Sequence, residues 1–358
     1  MQKRVRIFDT TLRDGEQTPG VHLTETQKVD IAKALEAFGV DTIEAGFPIS
    51  SPGDRAAVAR IAREVRSCEI AALARCVQAD IAAAAGAVKD AAAPVLHLFL
   101  GVVQFTPEDS TRAERTFLRQ CIGVAIENGA TRINIADTVG CATPREFGAL
   151  IRDIVQFVGP SVVISAHCHN DMGMATANSI SAVEHGAGQV EATVNGIGER
   201  AGNAAIEEIA VALALKGIGK TRLDLARITN LCRSVSAVTG VQIQPNRAVA
   251  GDHAFAHSSG IHQDGILKDP ENYEFVPPSL VGAPGHRFVL TARSGRSAIA
   301  YRATTLGIAL TPEKLAAAYN EFILTADASR GAVPDAVLDS IIVQVSAHDD
   351  CASCIVAK

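Results

Sequence analysis

The sequence predicts an α/β fold, a (β/α)8 TIM barrel, followed by a small, mostly helical C-terminal appendage. Three observations carry this. Eight short apolar, β-branched runs alternate with helix-length amphipathic runs over residues 1–217, the pattern of parallel strands buried on both faces. Six of the seven intervals between strand starts are 26 to 36 residues long, one βα unit each. Beyond residue 217 the repeat stops, and residues 218–358 read as linker and lid subdomains.

In chain order, strands are expected to begin near Val5, Asp41, Glu69, Val95, Val102, Thr131, Ser161 and Gln189. Helices are expected over 24–38, 54–66, 78–90, 113–128, 144–157, 174–186 and 203–215. Thr24 with Gln27 three residues later, just ahead of an apolar periodic run, is a capping-box pattern. Gly39, Gly129 and Gly186 stand where a helix ends in a left-handed residue. In the appendage, helical runs over 222–238, 296–306 and 311–325 flank a Gly/His-rich stretch from Gly251 to Gly265. A barrel buries its strands without such an addition, which is free to serve as a lid or a subunit contact.

One interval breaks the rule. The starts at Val95 and Val102 are 7 residues apart, whereas parallel neighbours need a crossover of about a dozen residues or more. Either one long strand runs through a seven-stranded structure, or two strands are present whose connecting loop and helix are absent from the sequence as given. The regular spacing elsewhere favours the second, with roughly 20–30 residues absent between Leu100 and Val102.

Composition narrows the function classes. The 358 residues are 47% hydrophobic and 20% charged, with a formal net charge of −6. That balance offers no general attraction to nucleic acid or to an acidic membrane. No basic block supports nucleic-acid binding, and no apolar run approaches a membrane span or a signal-peptide core. The eight cysteines are scattered rather than paired, which suits a cytoplasmic location, and Cys351 and Cys354 form a lone CxxC on a polar tail.

Chemistry is expected where barrel strands end. His167 and His169 sit two apart at the end of the seventh strand, so they project to one side, with Asn170 and Asp171 following. Paired imidazoles beside oxygen-bearing side chains suit a divalent cation. The loop after strand 1 crowds Asp9, Arg13, Asp14, Glu16 and Gln17 onto the same rim. Strand 2 ends in Glu44, strand 3 in Arg75 and Cys76, strand 5 in Glu108 to Arg112, and strand 6 in Asn134, Asp137 and Thr138. The turn after strand 8, Asn195 to Asn203, has GxGxxxG spacing with Gly196 and Gly198. That is not a dinucleotide fingerprint, but a phosphate- or substrate-contacting loop fits its position. More ordinary roles stand beside these. Asn203 can cap the helix that follows it, and Glu108, Asp109 and Arg112 can form a rim salt-bridge cluster.

The motifs FDTTLRDGEQ (8–17), AGFPISSPGD (45–54), LARC (73–76), NIADTVGCATP (134–144), HCHND (167–171), NGIGERAGN (195–203), FAHSSGIHQDG (255–265) and RSGR (293–296) resemble the catalytic region of 2-isopropylmalate synthases. These belong with the Claisen-condensing barrel enzymes that include homocitrate and citramalate synthases. The resemblance implies an acyltransferase joining acetyl-CoA to a 2-oxo acid, foremost 2-oxoisovalerate. It implies Asp14, His167, His169 and Asn203 as ligands of a divalent cation (Mn2+, Mg2+, Co2+ or Zn2+). Arg13 would act on the keto oxygen, and Gln17, Glu108, Arg112, Thr138, Gly196 and Gly198 would hold substrate. His262 and Tyr273, reaching over from the appendage of a second copy in a homodimer, would serve proton transfer. Feedback-regulated members carry a further C-terminal domain that is not expected here. Competing readings are another 2-oxo acid, a carbon–carbon lyase, a mononuclear iron oxygenase and a barrel that binds without turnover.

Overall fold

The computed structural model describes residues 3–98 and 104–347. Eight strands, all parallel, close into a barrel: β1 (Arg6–Asp9), β2 (Thr42–Glu44), β3 (Glu69–Ala74), β4 (Pro94–Leu98), β5 (Gln104–Phe105), β6 (Arg132–Asp137), β7 (Val163–Cys168) and β8 (Gln189–Ala192). β1 pairs with β8 through Arg6–Gln189 to Asp9–Ala192, which closes the ring. All eight expected strands are present and in the expected order. The suggested absence between Leu100 and Val102, like the CxxC at 351–354, lies outside the described residues.

Helices α1 (Glu25–Phe38), α2 (Pro52–Glu64), α3 (Gln78–Val88), α4 (Arg115–Glu127), α5 (Pro144–Val158), α6 (Ala175–Glu184) and α7 (Ile206–Lys216) alternate with the strands. Local chemistry sets their ends. Thr24 Oγ1 accepts from Gln27 N while the Gln27 side chain accepts from Thr24 N, so the expected capping box forms. Thr143 and Glu146 repeat it at α5, with Pro144 in the first turn, where its missing N–H costs nothing. The strands are buried along their length, and Phe8, Phe38, Phe147, Leu35 and Ile61 are among the fully buried side chains. At the N-terminal ends of the strands, Glu69 accepts from Arg132 twice, at 2.9 Å each, and from Thr42 at 2.7 Å, and pairs with Arg6 at 2.8 Å.

The chain divides into two compact units, one of residues 1–244 and 248–250, the other of 245–247 and 251–358. Residues 228–239, read from sequence as part of the appendage, form α8 (Ile228–Thr239), which packs on α1 in the first unit. The second unit holds a two-stranded parallel ladder, β9 (Ala256–His257) with β10 (Arg287–Phe288). Its helices are α9 (Gly260–Lys268), α10 (Arg296–Thr305), α11 (Pro312–Ala328) and α12 (Asp335–Ala347). The last three share a core around Ile299, Phe322, Leu338 and Ile342. The expected 296–306 and 311–325 helices are there. α9, hidden by its two glycines, and α12 were not foreseen.

Candidate active site

The C-terminal ends of the strands form a cavity of about 360 Å³ lined by Arg13, Asp14, Gln17, Glu108, Thr138, His167 and His169 among others. Residues from four separate strand ends, chosen from sequence, therefore meet in one place. Their convergence is tightest around the histidines. His167 Nε2 and His169 Nε2 lie 3.2 Å apart, and Asp14 Oδ2 is 3.5 Å from the first and 3.9 Å from the second. Asp14, His167 and His169 are buried, and each can offer a ligand atom within 4.8 Å of the others.

The electrostatics agree with that grouping. Burial would push the Asp14 carboxyl up, but Arg13, both histidines and the Asn203 amide outweigh it and hold it below the usual carboxylate range. Burial and the neighbouring His167 push His169 down to about 4. Burial also opposes protonation of His167, yet Glu191 and Asp14 prevail and raise it.

Asn203 Nδ2 donates to Asp14 Oδ1 at 3.2 Å and to Ile197 O at 3.1 Å, leaving its buried Oδ1 without a partner among the described residues. A cation beside Asp14 would satisfy that oxygen, so the four side chains fit one. The capping role is not what Asn203 performs, because the residue at the N-cap of α7 is Ala205. The nearby glycines make this approach possible. A Cβ on Gly198 would lie 2.1 Å from Asn203 Nδ2, and one on Gly202, at φ +84°, would lie 1.9 Å from Gly196 O. Gly196 O accepts from Asn203 N, and Gly198 N donates to Thr18 Oγ1. Both glycines thus shape the Asn203 turn, with the Gly198 amide already engaged.

Other expected residues are placed differently. Arg112 is absent from the cavity lining and forks onto Asp109 at 2.6 to 3.0 Å, the rim salt bridge. Asn170 and Asp171 do not join the histidines as ligands. Asn170 Oδ1 accepts from Ala175 N at the start of α6, and Asp171 pairs with Arg200 at 2.8 Å. Asp137 is spent on its own loop and the loop after β5, accepting from Cys141 N, Ala142 N and Thr111 Oγ1. In the second unit, His262 and Tyr273 stack with ring centroids 4.2 Å apart and an interplanar angle of 29°.

Three strand residues, of which only Glu44 was noted from sequence as a strand end, had been given no role in the site. Glu44, fully buried on β2, accepts from Arg13 Nε at 2.7 Å and Thr10 Oγ1 at 2.6 Å, and its other oxygen meets His97 Nδ1 at 2.6 Å. His97 Nε2 continues to Thr106 Oγ1 at 2.9 Å, which also accepts from Asn134 Nδ2. Glu191 stands beneath His167. Each was legible as a titratable residue inside an otherwise apolar strand, which burial tolerates only with a partner. Behind Arg13, Lys28 is buried with its ammonium between Glu16, at 2.5 Å, and Asp54, while Asp54 also accepts from Phe47 N. That lysine ties the loops after β1 and β2 together.

A closed parallel barrel with buried Asp, His, His and Asn at the C-terminal rim of its strands, flanked by an arginine, is the arrangement of a barrel enzyme with a candidate metal site. The family model described as HMGL-like matches residues 4–102 and 87–235, and the one described as Homocitrate synthase post-HMGL domain-like matches 249–330. The 2-isopropylmalate synthase of Listeria monocytogenes serotype 4a is 42% identical over 386 aligned residues, covering 97% of this chain and 75% of that protein. Those of Lysinibacillus sphaericus (46%, covering 91% and 71%) and Pyrococcus furiosus (45%, covering 92% and 74%) are similarly close. The chain belongs to the 2-isopropylmalate synthase family. Among solved structures, the HMG-CoA lyase of Bacillus subtilis shares the fold with a TM-score of 0.57 at 17% identity, over 67% of this chain and 95% of that one. The carboxyl transferase domain of Rhizobium etli pyruvate carboxylase does so with a TM-score of 0.53 at 15% identity, over 96% of this chain and 61% of that one.

Proposed function

We propose that this chain condenses acetyl-CoA with 2-oxoisovalerate to give 2-isopropylmalate and free CoA, a step of leucine biosynthesis in the cytoplasm. The observation that carries the reading is the convergence of Asp14, His167 and His169 beside Arg13, in a chain 42 to 46% identical to named 2-isopropylmalate synthases.

The reaction removes a proton from the acetyl methyl group, joins that carbon to the keto carbon, and then hydrolyses the thioester. A divalent cation held by Asp14, His167, His169 and Asn203 supplies Lewis-acid polarisation of the ketone when bound, and this nitrogen–oxygen donor set suits Mn2+, Mg2+, Co2+ or Zn2+. Arg13, held by Glu44, presents fixed positive charge where negative charge grows on the keto oxygen. Gln17, Glu108 and Thr138 line the cavity and position the oxo acid. His262 is the proton acceptor of choice, since imidazole titrates near neutrality and the Tyr273 phenol does not. The stacked pair reaches the barrel of a second copy in a homodimer.

The same reading holds that the link between β4 and β5 is short by a loop and a helix. Every other consecutive pair of strands is joined through a helix. Support comes from the alignment to the Listeria relative, which spans 386 positions against a chain of 358. The HMGL-like match also falls into two pieces that overlap over residues 87–102.

The test is release of free CoA thiol across a panel of 2-oxo acids with added Mn2+, Mg2+, Co2+ or Zn2+. Metal-dependent release, fastest with 2-oxoisovalerate, is expected. Faster release with another oxo acid would reassign the substrate, and none with any of them would refute the class.

A further inference from the structure

Beneath the histidine pair a chain of buried side chains crosses the barrel interior and ends on Glu191. Gln189 Nε2 lies 3.1 Å from Ser165 Oγ and donates to Gln104 Oε1 at 2.8 Å. Gln104 Nε2 donates in turn to Glu191 Oε1 at 2.5 Å. Glu191 is 1% exposed. Its second oxygen, Oε2, is 3.1 Å from His167 Nδ1, within ion-pair reach though off the line of a hydrogen bond, and neither atom has a hydrogen-bond partner among the described residues. A carboxylate here is costly, since barrel interiors are ordinarily filled by branched apolar side chains and a buried charge demands compensation.

The direction of the chain explains why an acid stands at this position. Gln104 Oε1 is occupied by the Gln189 amide, so the Gln104 amide nitrogen must face residue 191. On the other side, His167 presents Nε2 to Asp14 and to His169 Nε2. For Nε2 to offer a lone pair there, the ring proton must sit on Nδ1, which faces Glu191. Residue 191 must then accept at both ends. A carboxylate does so; an amide accepts at one end and donates at the other.

We propose that Glu191 is a positioning residue that fixes the tautomer and ring orientation of His167, so that Nε2 is held ready for the cation. The inference rests on the metal reading of Asp14, His167 and His169. Removal of such a carboxylate partner typically weakens metal binding about 10- to 100-fold.

Co2+ binding to the full chain separates the two ideas, followed by calorimetry and by its visible absorption, for the wild type, Glu191→Gln, Glu191→Asp and His167→Ala. Glu191→Gln is expected to bind Co2+ about 10- to 100-fold more weakly with an altered spectrum, while the metal-free melting temperature holds. Glu191→Asp, still an acceptor at both oxygens but shorter, falls between. Wild-type affinity and spectrum in Glu191→Gln would overturn the inference and leave the metal site standing. If Glu191→Gln does not fold, Glu191→Asp decides, and unchanged affinity there overturns the inference equally. No Co2+ binding by the wild type, or none lost in His167→Ala, would overturn the metal reading itself.

Discussion

Arg13 Nε donates to Glu44 Oε2 at 2.7 Å, joining the loop after β1 to the end of β2 across 31 residues of sequence. Asp14, the next residue, is therefore delivered beside the histidines by a backbone whose neighbouring arginine is anchored elsewhere. Glu44 is fully buried, and burial would raise its carboxyl, but Arg13 and His97 outweigh it and hold it well below the ordinary range. Glu44→Ala leaves the buried Arg13 guanidinium with Asp14 as its remaining carboxylate partner and His97 Nδ1 without its acid. The expected cost is about 3–5 kcal/mol in urea unfolding at neutral pH, with kcat of the folded fraction reduced more than KM is raised. Unchanged stability would mean that solvent replaces Glu44 freely.

The mixing of inactive variants tests the proposed second copy. Asp14→Asn disables the barrel site and His262→Ala the appendage, so each alone should release almost no CoA. If His262 serves a neighbour's barrel, subunits of the two variants reassorted together regain about a quarter of wild-type activity, because half the dimers are mixed and each carries one intact site. No recovery after demonstrated exchange would place His262 out of reach of a partner's site.

Gly202 has φ +84°, and a Cβ there would sit 1.9 Å from the Gly196 carbonyl oxygen. Gly202→Ala should cost at least about 2 kcal/mol in thermal or urea unfolding. The turn that must shift also carries Asn203, so calorimetric metal affinity should fall further in Gly202→Ala than in Asn203→Ala. Equal losses would show that the turn adjusts without moving its neighbours.

Acid sensitivity is expected at the opposite end of the barrel. Burial would raise the Glu69 carboxyl, but Arg132, Thr42 and Arg6 lower it to about 2 from an ordinary 4.5. The unfolded chain binds this proton first as pH falls, so the stabilisation is present above about pH 4.5 and drains away toward pH 2. In Glu69→Gln, stability at pH 7 should drop while its decline between pH 5 and pH 3 becomes shallower, on the order of 1–2 kcal/mol. Parallel pH profiles for both proteins would remove Glu69 from the account.

Thr24→Ala breaks the capping box of α1 and should cost about 1 kcal/mol. Thr24→Ser, which keeps the accepting oxygen, should recover most of it in the same unfolding measurement.

Much of this molecule is local. Alternating apolar strands, the Thr24–Gln27 box and the glycine after α1 each depend on residues a few positions apart, so the eight strands and seven barrel helices follow from sequence alone. The period of two that places His167 and His169 on one side of β7 is local as well. Strand-end reasoning brought Asp14 and Thr138 to the same rim. Partnership across the barrel was not local. The pairing of Glu44 with Arg13 and His97 and of Gln104 with Glu191 depends on strand register and loop path. Asn170 and Asp171 share sequence with the histidines yet bond to a helix start and to Arg200. Tertiary structure decided which buried acid meets which base, because a charge away from water settles on the partner that packing puts within hydrogen-bond reach, whatever its distance along the chain.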